Sequence, residues 1–151
     1  MSVRIIDHGL DKIIRETHEL ASLEVASGIL PKEAKKSYAN GMTIGEVASY
    51  QVYGTRHIPK RDFIGGTADD YRQKTGEVMQ KKAEEVMAGA SPRVAAKELG
   101  KWFQGRIQAH ILNGPWAKNA PSTIKRKGHG QVLVETRDMY NSIGNEVRRR
   151  K

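Results

Sequence analysis

The stretch that most limits how this chain can fold is "SPRVAAKELGKWFQGRIQAHILNGP", residues 91–115. Ser91 offers an N-cap, and Pro92 sits at the first helical position, where its missing donor costs nothing. Leu99, Phe103, Ile107 and Ile111 recur every four residues with Trp102 alongside, and Asn113, Gly114 and Pro115 then stop the run. This spacing predicts one long buried helix over roughly 92–112, against which the rest must pack.

A chain of 151 residues with 38% hydrophobic and 6% aromatic content supports one such core and no second one. Residues 1–147 read as a single domain, with 148–151 as a frayed basic tail. The core is modest and leaves room for a partner to complete the fold. The absence of cysteine excludes disulfides, thiolate zinc and cysteine nucleophiles. "MSVRIIDHGLDKII" lacks the continuous apolar run of a leader, and no stretch approaches a membrane span, so the expectation is a soluble protein that starts in the cytoplasm, with no membrane contact.

Around the central helix the other elements follow from local signals. Asp7 is placed to cap a helix over 8–21, with Leu10, Ile13, Ile14 and His18 or Leu20 on one face. "LEVASGIL", residues 23–30, reads as a strand ending at Pro31, and 32–41 as a flexible loop with an Asn-Gly turn. Thr43 and Glu46 have the form of a capping box opening a short helix over 44–52, which Gly54 stops. Thr67 is placed as the cap of a helix over 68–88. Residues 114–131 read as a long projecting basic loop, with one short turn at Pro121 or Ser122. "VLVET" reads as a short strand. "RDMYNSIGNEV" fits either a turn and a strand, with Met139, Ile143 and Val147 inward, or a helical turn. The fold class expected is α+β, with a small, mainly antiparallel sheet packed by two long helices and one or two short ones.

Twenty-six Lys and Arg against 17 Asp and Glu give a net charge of +9. From Gly114 onward there are nine cationic and three acidic residues, so this last quarter carries two thirds of the excess. Such a balance favours acidic partners. The five histidines show no metal-ligand spacing, no cofactor motif or nucleophile elbow occurs, and Glu84 and Glu85 sit among lysines as a solvated face does. The residues therefore give no support to an enzyme, a metal site or a cofactor. Lys125, Arg126, Lys127, His129 and the terminal arginines suit phosphate contacts, and Trp116 lies close enough to stack on a base, so nucleic-acid binding stands as the alternative. No established nucleic-acid-binding signature accompanies that patch.

Three further segments carry a resemblance. "ASYQVYGTRHIPKRDFIGGT" is followed by "WAKNAPSTIKRKG" and then by "LVETRDMYNSI". In order and spacing these resemble the virion morphogenesis proteins of tailed bacteriophages, the tail-completion or neck group. That group reads A-x-x-x-E-F-G-T, I-P-x-R-x-F, W-x-P-L, T-I-x-R-K-G and L-x-x-T-G-x-(L/M)-x-x-S-I. Gly54, Thr55, Ile58, Pro59, Arg61 and Phe63 match the first segment. Trp116, Thr123, Ile124, Arg126, Lys127 and Gly128 match the second, and Leu133, Thr136, Met139, Ser142 and Ile143 the third. Three departures stand out: Val52-Tyr53 replaces Glu-Phe, the proline after Trp116 is displaced, and Arg137 occupies the glycine position.

The resemblance implies a structural protein that finishes the tail or forms part of the neck joining head to tail. It would bind a connector, tail terminator or tail tube in a ring homo-oligomer, as a monomer before assembly, with DNA contact also open. Its place would be the virion, after the host cytoplasm. The interface residues it implies are Tyr53, Arg56, Lys60, Arg61, Phe63, Trp116, Lys125, Arg126, Lys127 and Arg137. Phe63 and Ile64 are expected to bury either in the core or in a neighbouring subunit. Arg61 is expected to hold a carboxylate or a line of backbone carbonyls, so that Arg61→Ala spares the fold and impairs assembly. Trp116 either caps the long helix or anchors an interface. The cations of "TIKRKG" either float in solvent or face an acidic ring or DNA.

Overall fold

In the computed structural model, which describes residues 9–134 and 137–150, the long helix is present as α6 and runs Pro92–Asn113. Ser91 stands at its N-cap position, but its side chain makes no capping bond. The buried positions are Pro92, Ala95, Ala96, Gly100, Ile107 and Ile111, so after the proline the inward stripe runs from small residues to large ones. The small end lets strands approach closely. A Cβ on Gly100 would lie 2.8 Å from Asn145 Oδ1.

Strand β1, Leu23–Ile29, and strand β2, Ile143–Arg149, pair antiparallel from Leu23 opposite Arg149 to Ile29 opposite Ile143, and α6 crosses both. Gln104 ties helix to ribbon: its Nε2 donates to Ile143 O at 2.7 Å while its Oε1 accepts from Asn145 Nδ2 at 2.6 Å. Ahead of the ribbon, α1, Leu10–Ala21, packs on α5 and α6, but no α1 residue is buried and Leu10 is 62% exposed. After β1 come α2, Pro31–Ala34, and α3, Ile44–Tyr53. The capping box of α3 forms: Glu46 N donates to Thr43 Oγ1 at 3.2 Å and Thr43 N to Glu46 Oε2 at 2.8 Å. Helices α4, Gly65–Asp70, and α5, Arg72–Met87, lead to α6, and α7, Pro121–Lys127, and α8, Asp138–Asn141, to β2. The fold is α+β. Its core gathers Ile44, Ala48, Phe63, Ile107, Ile111, Leu133, Val134, Met139 and Ile143. Among the described residues no helix is long and apolar enough to cross a membrane.

Several expectations are corrected. Three of the four residues expected as a frayed tail are held: Arg148 and Arg149 belong to β2, Arg148 Nη2 lies 2.9 Å from Glu24 Oε1, and Arg150 N donates to Ser22 O at 2.8 Å, while Lys151 lies outside the described residues. Residues 132–134 are no strand. Val132 and Leu133 form a turn with Leu133 at φ 60°, which drives Leu133 and Val134 into the core as plugs. The helix expected over 68–88 starts earlier and breaks at Tyr71. Thr67 lies inside α4 and is fully buried, its hydroxyl donating back to Phe63 O at 2.7 Å. Asp62 Oδ1 serves the helix start instead, accepting from Gly65 N at 2.7 Å. The loop over 32–41 contains α2 and a bridge between Ser37 and Thr43. Asp7 and Thr136 lie outside the described residues.

Candidate docking cleft

The first motif segment is an arm folded back along the helix it leaves. Gly54 ends α3 at φ 76°, ψ 170°, a conformation open essentially to glycine alone. Thr55 then makes a tight turn, its N donating to Ile58 O at 2.8 Å and its Oγ1 accepting from the amides of His57 and Ile58 at 3.2 and 3.0 Å. Pro59 keeps the next step extended. Arg61 N then returns to Gln51 O at 2.6 Å, within the last turn of α3. The rigid basic turn therefore delivers two side chains inward.

Those two are Arg61, 4% exposed, and Phe63, fully buried. Neither lies on a surface, which corrects their assignment to an interface. A small core has few large anchors and uses Phe63 as one, against Ile107 and Ile111 of α6. Arg61 straps the first motif to the second. Its Nη1 donates to Gln51 Oε1 at 2.9 Å, its Nε and Nη2 to Ala117 O at 3.2 and 2.8 Å, and Nη2 reaches Lys118 O and Asn119 Oδ1 at 3.4 Å. All these acceptors are neutral oxygens, and burial lowers the Arg61 pKa from its ordinary value. The alternative of backbone carbonyls, rather than a carboxylate, holds.

The second segment is likewise held down rather than projecting. Trp116 lies tilted on His110, ring centroids 4.7 Å apart, and its Nε1 donates to His110 O and Ile111 O, both at 3.1 Å. It thus serves the last carbonyls of α6, the helix-capping alternative of the two expected for it. Its indole occupies the space a side chain at Gly114 would need. Helix α7 follows, with Lys125, Arg126 and Lys127 in its last turn, where the helix dipole favours cations, and Gly128 closes it at φ 78°. Thr123 is half-buried, while Ile124 is 38% exposed.

The third segment buries Leu133, Met139 and Ile143. Between them Arg137 adopts φ 63°, ψ 5° as the N-cap of α8. A non-glycine residue therefore holds the left-handed geometry at the position where the resembled pattern has glycine.

These segments meet at one cleft of about 640 Å³. Ile58, Pro59 and Arg61 line it from the first, Thr123, Arg126 and Lys127 from the second, and Leu133, Arg137 and Met139 from the third. Tyr38, Met42, Val47, Tyr50 and Gln51 line it as well. Sequence reasoning passed over these. Their one signal was apolar residues on either side of an Asn-Gly turn and along α3. Among the described residues, five Lys and Arg side chains border the cleft, Lys118 among them, against one carboxylate, Asp138.

Other expected interface residues lie elsewhere. Tyr53 is 79% exposed at the end of α3, outside the cleft. Arg56, Lys60 and Lys125 are exposed and line none of it, and Lys60 Nζ lies 3.7 Å from Asp62 Oδ2. No family model, curated protein or solved structure matches this chain.

Proposed function

We propose that this chain is a structural assembly protein of a tailed phage or prophage particle, completing the tail or forming part of the neck that joins head to tail. It works by binding neighbouring virion proteins, in a ring, and not by catalysis. The observation that supports this reading best is the convergence of three motif segments, far apart in sequence, on one cleft. Residues kept only to fill a core have no reason to share a rim. A second support is Arg137, whose left-handed backbone meets the turn requirement of the pattern despite the lost glycine.

On this reading the buried members, Arg61, Phe63, Leu133, Met139 and Ile143, set the cleft's shape, and the exposed Tyr53, Arg56, Lys60, Lys125 and Arg137 meet the neighbours. The chain is a monomer before assembly, since copies carrying +9 repel one another until a partner neutralises them. Its partners are the connector, tail terminator or tail tube. Its location is the virion after the host cytoplasm.

The test is electron microscopy of particles made without this gene. Filled heads and finished tails accumulating unjoined support the reading. Normal infectious virions overturn it and turn attention to nucleic acid as the target of the basic segment.

A further inference from the structure

We infer that the cleft receives an extended acidic segment of a different protein, its carboxylates on the cationic rim and an apolar side chain on the floor. This rests on the assembly reading and names the chemistry of the partner at that site.

Charge complementarity carries the inference. Lys118, Arg126, Lys127 and Arg137 line the cleft with one carboxylate, Asp138, among the described residues, whereas its lining between residues 38 and 51 contributes no cation. Beneath them lies Arg61, whose hydrogen-bond acceptors are all neutral, so its positive charge adds to the field in the cleft. Low-dielectric walls focus such a field outward toward an approaching anion.

The floor has the opposite character. Leu133 and Met139 are 9% and 4% exposed, and Met42 and Val47 line the same cleft. A volume of about 640 Å³ lies within the range that encloses a bound group. Carboxylates for the cations and an apolar side chain for Leu133 and Met139 describe an extended peptide that alternates the two kinds of residue.

Two other occupants fit less well. A second copy of this chain brings a net charge of +9 to a cationic rim. Single-stranded nucleic acid wants cations tracking its backbone along a groove with aromatic platforms between them. Here the two tyrosines of the lining, Tyr38 and Tyr50, belong to the stretch that carries no cation, and Leu133 and Met139 are aliphatic.

Fluorescence anisotropy on the full chain at about 0.15 M salt tests this. The probes are a labelled peptide alternating Glu and Leu, the same peptide with Lys for Glu, and an oligothymidylate of about twelve nucleotides. The proteins are the wild type, the cleft pair Lys118→Glu with Arg137→Glu, and a control pair, Lys81→Glu with Lys97→Glu, which changes net charge equally on the exposed faces of α5 and α6. Arg137→Gly is added because it suits the left-handed backbone and removes the cation without challenging the fold.

The expected result is binding of the Glu peptide and not the Lys peptide, weakened at least about tenfold by the cleft pair, severalfold by Arg137→Gly and less than about twofold by the control pair. Equal weakening by both pairs means diffuse attraction and overturns the proposal, as does failure of the Glu peptide to bind. Tighter binding of the oligonucleotide with the same sensitivity to the cleft pair also overturns it and assigns the cleft to nucleic acid. If the Glu peptide fails while particles lacking the gene still accumulate unjoined heads and tails, the assembly reading stands and only the acidic partner falls.

Discussion

Arg61 grips the backbone carbonyl of Ala117 with two donors, Nε at 3.2 Å and Nη2 at 2.8 Å, across 56 positions of sequence. The same guanidinium holds Gln51 Oε1 at 2.9 Å, so one side chain joins α3, the arm and the segment before α7. Removing it takes the donors from partly buried oxygens and opens a cavity between these segments. Arg61→Ala is therefore expected to cost about 3 kcal/mol of stability, read by urea denaturation of the isolated domain. Arg61→Lys should recover little of that, because a point charge cannot span the planar fork of acceptors. An unchanged urea midpoint would mean the strap is dispensable.

Gly54 gives a sharper backbone test. At φ 76°, ψ 170° it holds a conformation closed to other residues, and a Cβ there would sit 3.1 Å from Lys60 N and 3.2 Å from Ile58 O. Gly54→Ala should destabilise by about 2 kcal/mol or more and loosen the arm, seen as faster amide exchange at Ile58 and Arg61.

Arg137→Gly separates folding from binding. Releasing the arginine from φ 63° relieves about 1 kcal/mol of strain. The added freedom of the unfolded chain takes back about 0.4–1 kcal/mol, so the thermal midpoint should barely move. Loss of the cation should nevertheless weaken binding of an acidic peptide.

Acid should weaken the fold in a predictable window. Backbone and side-chain hydrogen bonds from Thr43 lower the Glu46 pKa below its ordinary value of 4.5, and Arg148 does the same for Glu24. A carboxyl depressed on folding stabilises the protein above its unfolded pKa, and that contribution is lost as pH falls through the folded value. Stability should thus decline as pH drops below about 4.5 and be insensitive to these groups near neutrality. Glu46→Gln retains a capping-box side chain and should flatten this decline, measured by denaturant midpoints between about pH 3 and 7.

What the sequence revealed and what it hid divides along contact range. The α3 cap was legible because Thr43 and Glu46 lie three residues apart, and the ends of α6 because Pro92 and Gly114 punctuate them. The mate of β1 was not, since Leu23 meets Arg149 from the far end of the chain. Arg61 misled for a related reason: two of its four acceptors, Ala117 O and Lys118 O, are backbone carbonyls, which no residue letter announces. The Val-Leu-Val run is apolar and mostly β-branched as a short strand would be, yet a positive φ at Leu133 turns it into a core plug. The cleft was half legible. The motif residues on its rim were singled out, but Tyr38, Met42 and Val47 join them only through the fold.

The central claim, that the cleft joins virion parts, is tested most directly by counting joined particles in electron micrographs of lysates lacking the gene, complemented with wild type or with Lys118→Glu plus Arg137→Glu. Rescue by the wild type, with filled heads and finished tails left apart by the soluble, folded cleft pair, is the predicted result. Joined, infectious particles with the cleft pair at wild-type frequency would contradict it.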